Sequence, residues 1–174
     1  NEHAIAPETL MTVTETCREL KLSPGQVDML VQLDHLRRLS YRGEPHYLLE
    51  SVIELEERLE ELLPVIRQQS RLCLRAVGGE PLKGRTIVLD AWQLAAGDEV
   101  VIGRLPAVDL PLIKDENLSR RHAAIRYPDR SEKSVTNESR RAVLQIRDLG
   151  SQNGTYIGDQ QCRPGQWYDL GFDS

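Results

Sequence analysis

Asp148-Leu149-Gly150-Ser151-Gln152-Asn153-Gly154-Thr155 is the stretch from which the rest of the chain can be read. Asn-Gly is the preferred two-residue hairpin turn, because both positions favour positive φ. The turn sits between Ala142–Arg147 and Thr155–Ile157, two short runs rich in β-forming residues. Further short runs of the same kind lie around it: Leu72–Val77, Thr86–Leu89, Glu99–Ile102, His122–Tyr127 and Gln166–Leu170. Gly78-Gly79, Ala96-Gly97-Asp98, Pro128-Asp129 and Pro164-Gly165 punctuate them. Many short strands at close spacing predict a mainly β sandwich, antiparallel and in two sheets, over residues 70–174. Ser131–Arg141 lacks an apolar pattern apart from Val135 and reads as a surface loop. Its Asn137-Glu138-Ser139 sequon carries no weight in a cytoplasmic protein.

Ahead of Gln69 the period changes from two to that of a helix, so residues 1–69 read as a small α-helical region. Thr12-Val13-Thr14-Glu15 and Ser23-Pro24-Gly25-Gln26 are capping boxes, the second with Pro24 at a first helical position, where its missing N–H costs nothing. The second helix should carry Val27, Leu30, Val31, Leu33, Leu36 and Leu39 and end at Gly43 and Pro45. A third should begin near His46. There Leu48, Val52, Leu55, Leu59 and Leu62 form an a/d seam, with Glu50, Glu54, Glu57, Glu60 and Glu61 off it, until Pro64 interrupts. So short a seam fits packing inside a helical bundle, with a homodimer through residues 46–63 as the second reading.

The first two helices, joined by about three residues, suggest a helix-turn-helix. Lys21 stands where that motif favours Gly, and the second helix offers Asp28 and Asp34 but no cation before Arg37. Phosphate would repel it. Residues 1–69 carry 7 Lys/Arg against 13 Asp/Glu, whereas residues 70–174 carry 15 against 14. A DNA-binding regulator is therefore the alternative reading, and nucleic acid is an unlikely partner. Cys17, Cys73 and Cys162 are scattered and odd in number, which argues against a disulfide framework or a zinc site and for a reducing cytoplasm. No run of about 18 apolar residues occurs, so no membrane span is expected. No Gly-rich phosphate loop, catalytic triad or metal cluster is visible, so the chain reads as a non-enzyme without cofactors.

Two more motifs lie at strand ends: Gly103-Arg104 after Val100-Val101-Ile102, and Ser119-Arg120-Arg121-His122 before Ala123-Ala124-Ile125. Each alone is commonplace. Together with 148–155, in this order and separation, they resemble the signature of the forkhead-associated (FHA) domain family over about 100 residues. The resemblance implies a module that binds a phosphothreonine-containing protein. It implies that Arg104, Ser119, Arg120, Gln152 and Asn153 contact the phosphopeptide, and that Gly103, His122, Ser151, Gly154 and Thr155 support the site. Asn117 and Arg121 are specificity candidates. Thr is common in the family where Gln152 stands, and a further closing strand usually follows Gly171.

The chemistry agrees with that implication. A phosphothreonine brings between about −1.5 and −2 charges and three strong acceptor oxygens. Arg104 offers a planar fork for them, Ser119 a short hydroxyl donor and Arg120 a second cation. The Asn153 amide both donates and accepts, so it suits the backbone of an extended peptide. His122 has no nucleophile or carboxylate partner in sequence and reads as structural. Thr9, Thr12, Thr14 and Thr16 lie in an acidic-flanked segment that a kinase could modify, a further and weaker reading of self-regulation.

Overall fold

The structure is a computed structural model and describes residues 6–75, 86–112, 116–128 and 144–171. The N-terminal part runs β1 (Leu10–Thr12), α1 (Val13–Leu20), α2 (Pro24–Gln32), β2 (Leu39–Tyr41), β3 (Glu44–Leu48) and α3 (Leu49–Gln69). Both capping boxes form: Thr12 Oγ1 accepts from Glu15 N, Ser23 Oγ from Gln26 N, and the Glu15 and Gln26 side chains accept in return. Lys21 takes the left-handed conformation that Gly would have eased, at φ 55°, and its N–H bonds the Cys17 carbonyl.

The second helix is shorter than its apolar pattern suggests. It stops at Gln32 because Asp34 turns to φ 61° and the amides of His35 and Leu36 both reach back to the Leu30 carbonyl. Leu36 is still buried, so its apolar side chain serves the core from a loop rather than a helix. The chain then forms a hairpin where a continuing helix and the start of the third were expected. Arg42 and Gly43, at φ 52° and 79°, make its tip, with Leu39 opposite His46 and Tyr41 opposite Glu44. β1 pairs with β3, giving the sheet order β1-β3-β2. The region is thus mixed α/β, and α3 begins at Leu49 rather than near His46. It continues through Pro64.

Val52 and Leu55 of the a/d seam are buried, and Leu59 and Leu62 pack against the same core. The seam is used within the chain.

The C-terminal part comprises β4 (Arg71–Arg75), β5 (Thr86–Asp90), α4 (Ala91–Ala95), β6 (Val100–Gly103), β7 (Leu110–Pro111), β8 (Ala123–Arg126), β9 (Leu144–Asp148), β10 (Tyr156–Ile157), β11 (Gln160–Gln161) and β12 (Trp167–Leu170). A five-stranded sheet of order β12-β9-β8-β6-β7 faces the β4-β5 pair. Leu72, Leu74, Ile87 and Leu89 from the pair meet Val100, Ile102, Ile125, Leu144, Ile146 and Leu170 from the sheet in one cluster. This is a β sandwich, antiparallel except that β7 pairs parallel to β6. α4 follows directly on β5, capped by Asp90 Oδ1 accepting from the amides of Trp92 and Gln93. The sequence reading had placed no helix there. Ser131–Arg141 and the residues after Gly171, where a closing strand was sought, lie outside the described residues.

Candidate functional site

Antiparallel pairing brings three strand ends side by side. Ile102 in β6 lies opposite Ala123 in β8, and Ala123 lies opposite Asp148 in β9. β6 and β9 therefore end where β8 begins. The His122 amide bonds the Ile102 carbonyl at 2.8 Å and the Leu149 amide bonds the His122 carbonyl at 2.9 Å, so the pairing runs on into the loops. Glycine at 103 is required by this closeness. A Cβ there would stand 2.1 Å from the Arg120 carbonyl oxygen. Across the gap the Arg104 amide donates to the Ser119 carbonyl at 3.0 Å, and the Leu105 amide to the Arg120 carbonyl at 3.2 Å.

His122 is buried and ties two loops. The Ser119 amide donates to its Nδ1 at 3.1 Å, which leaves Nε2 carrying the proton and donating to the Gly154 carbonyl at 2.9 Å. Both ring nitrogens are engaged with backbone, so the ring braces the site.

Asp148 organises the third loop. One carboxylate oxygen accepts from the Gly150 and Ser151 amides, each at 3.0 Å. The other accepts from the hydroxyls of Ser151 and Thr155, the latter at 2.8 Å. The side chain is almost wholly buried. Burial by itself would raise its pKa, but the donors from Ser151, Thr155 and Gly150 prevail and hold it below the ordinary aspartate value. Asp148 opens the 148–155 motif but is not among the residues the resemblance implies for support of the site. Its place at the end of an apolar strand, just before a Gly-Ser turn with a Thr beyond, was the available signal.

The predicted contact residues stand on this frame. The Ser119 hydroxyl accepts from the Gln152 amide at 2.8 Å, so its own hydrogen is left to donate outward. The Asn153 amide nitrogen donates to the Asn117 carbonyl at 2.8 Å, linking the specificity candidate to the loop bearing the peptide-reading candidate. Gly154 takes φ 85°, but Asn153-Gly154 does not close the expected hairpin: β9 pairs with β8 and β12, and β10 pairs with β11. Arg104, Arg120, Arg121, Gln152 and Asn153 are all exposed. Among the described residues the ion pairs are Arg38–Asp28 and Arg147–Glu99, and no described carboxylate pairs with Arg104, Arg120 or Arg121. Ser119, Gln152, Asn153, Asn117 and the Arg104 backbone are in one hydrogen-bonded cluster; Arg120 and Arg121 flank it on the same loop. Among the described residues no group of His, Cys, Asp or Glu could hold a metal ion, and no helix is long and apolar enough to cross a membrane.

The family model of the FHA domain matches residues 100–171. FHA domains are protein–protein interaction modules that recognise phosphothreonine. Among solved structures the chain is similar to the FHA domain of the CT664 protein from Chlamydia trachomatis, at 24% identity, with 58% of this chain and 81% of that one covered and a TM-score of 0.40. A search of curated proteins finds no match. The N-terminal region lies outside the matched residues.

Proposed function

We propose that the chain is an adaptor that docks on phosphothreonine-containing protein segments through the apex formed by Arg104, Ser119, Arg120, Gln152 and Asn153. The observation that carries this reading is the state of Ser119. Its oxygen is held by the Gln152 amide at 2.8 Å while its carbonyl is held by Arg104 N at 3.0 Å. The hydroxyl is thereby aimed and pre-ordered between a loop of arginines and a loop of amides. A phosphate arriving there meets donors whose ordering cost is already met, which favours affinity.

Replacing Arg104 or Ser119 with Ala removes a charge-assisted hydrogen bond worth about 1.5–3 kcal/mol, or roughly tenfold or more in affinity. A phosphothreonine peptide library titrated against the chain and both variants tests this. Variants that retain full affinity for the selected peptides would show the site to be misassigned.

The alternative of a DNA-binding regulator loses support. Gly25, Asp28 and Met29 share one side of α2, and Val27 and Leu30 the other. Asp28, Met29, Val27 and Leu30 are all buried, and Gly25 abuts the Ala95 carbonyl. A recognition helix needs one free face for a groove. The seam at 46–63, likewise, supports packing within the chain more than a homodimer.

A further inference from the structure

The N-terminus of α2 meets the C-terminus of α4, and the capping box of one helix closes the end of the other. Ser23 Oγ accepts from Gln26 N at 3.1 Å and donates to the Ala95 carbonyl at 2.5 Å. Gln26 accepts from Ser23 N at 3.1 Å through its side-chain oxygen, and its nitrogen reaches the Trp92 carbonyl at 3.4 Å. Carbonyls at a helix C-terminus lack partners within the helix, and the negative end of α4 faces the positive end of α2. Gly25 makes the approach feasible, since a Cβ would lie 2.4 Å from the Ala95 oxygen. A capping box alone gives no reason for glycine there.

A second contact lies further along α2. Asp28, only 5% exposed, accepts from Tyr127 Oη at 2.9 Å and from Arg38 at 2.9 Å. Ala91, Trp92 and Ala95 are buried in the same cluster as Val27 and Leu30. Tyr127 follows β8, whereas His122 precedes it, so this contact and the candidate peptide apex lie five strand residues apart, about 16 Å.

We propose that the helix-turn-helix is a docking unit whose partner is α4 of the same chain. Ser23, Gly25, Gln26 and Asp28 act as a latch holding the N-terminal unit to the end of the sandwich remote from the peptide apex. The buried sides of α2 are taken up by the N-terminal core and by that contact, and do not read nucleic acid. Capture of a ligand at the apex then carries the N-terminal unit along in a fixed orientation.

Hydrogen exchange of the full chain, followed by mass spectrometry, tests the latch without any ligand. Ser23→Asp is the informative variant, because Asp caps a helix as well as Ser does but sets a carboxylate against the Ala95 carbonyl. Gly25→Ala adds a methyl 2.4 Å from the Ala95 oxygen, and Tyr127→Phe, which removes only a hydroxyl, is the mildest of the three and keeps the test available should the others unfold. In folded variants, exchange in peptides covering α4 and the start of α2 should rise at least tenfold in Ser23→Asp and Gly25→Ala, and about threefold in Tyr127→Phe. Protection of β8 and β9 should stay within twofold of the wild type. Unchanged α4 protection in every folded variant overturns the latch. Gain of salt-sensitive binding to random duplex DNA by an opened variant would leave the latch standing but overturn the statement that α2 does not read nucleic acid, since α2 would then be a masked reader.

Discussion

Gly103→Ala perturbs the apex without removing any group that could touch a ligand. The added Cβ would stand 2.1 Å from the Arg120 oxygen, 2.8 Å from its carbon and 3.0 Å from Arg121 Cα. These are backbone atoms, which no rotamer change can withdraw. The Arg120 carbonyl must retreat by about 0.9 Å to reach even a 3.0 Å contact. That carbonyl also accepts from Leu105 N, so the bond lengthens or breaks. Overpacking of this kind costs about 1–3 kcal/mol, and a lost neutral hydrogen bond about 0.5–1.5 kcal/mol. For a chain of this length each kcal/mol lowers Tm by about 2–4 °C, so Tm should fall by about 3–18 °C. The retreat also moves the 119–121 loop away from Arg104 and Gln152. Loosening two charge-assisted contacts by about 1 Å should weaken phosphopeptide binding by about ten- to a hundredfold, equal to about 1.4–2.8 kcal/mol. Calorimetric titration of the folded variant, beside its thermal unfolding, is the assay. A variant with lowered Tm but affinity within twofold of the wild type would refute the claim that the approach of these loops sets the site.

Asp148→Asn should destabilise the β sandwich by about 2–4 kcal/mol, because buried hydrogen bonds to a charge are exchanged for neutral ones and an amide N–H is turned toward donors; chemical denaturation measures it, and a loss under 0.5 kcal/mol would contradict the role given to the carboxylate. The same residue sets an acid response. Its pKa is lowered in the folded state from the ordinary 3.8, so its contribution is complete above that value and disappears as pH falls below 3.8 through the folded value. Stability measured between pH 5 and 2 should drop less steeply in Asp148→Asn than in the wild type, and parallel curves would count against the assignment. Gln152→Ala should change phosphopeptide affinity by less than threefold, because its backbone amide, not its side chain, holds Ser119; a loss beyond tenfold would assign the side chain a direct contact.

Much of the sandwich was legible because strand ends carry their own punctuation. Thr86–Leu89, Glu99–Ile102 and Gln166–Leu170 each fall within a residue or two of an observed strand. The N-terminal half was harder. Leu33, Leu36 and Leu39 continue a helical spacing, but Asp34 breaks it by adopting positive φ, which Asp tolerates better than most residues. Leu39–Tyr41 and Glu44–Leu48 then pair across Arg42-Gly43, a turn whose first residue gives a weak signal beside Asn or Asp. α4 escaped notice because five residues are too few to show a period.

For the candidate site, the sequence offered a set of side chains and their order along the chain. What it lacked was the support between loops. The His122–Gly154 contact spans 32 residues, and Ser23–Ala95 spans 72. The first depends on how β6, β8 and β9 pair and the second on how the ends of α2 and α4 meet, neither of which a short window of sequence fixes. Glycines were equally opaque: Gly103 and Gly25 owe their identity to the backbone of a distant segment, not to their own turn.

The most direct measurement is a pair of chemical-shift titrations on the isotopically labelled chain, with a degenerate phosphothreonine peptide library and with its unphosphorylated counterpart. The account predicts phosphate-dependent shifts concentrated at the amides of Arg104, Ser119, Arg120, Gln152 and Asn153, with α1 to α3 nearly still. Equal shifts from both libraries, or a response centred away from these loops, would contradict it.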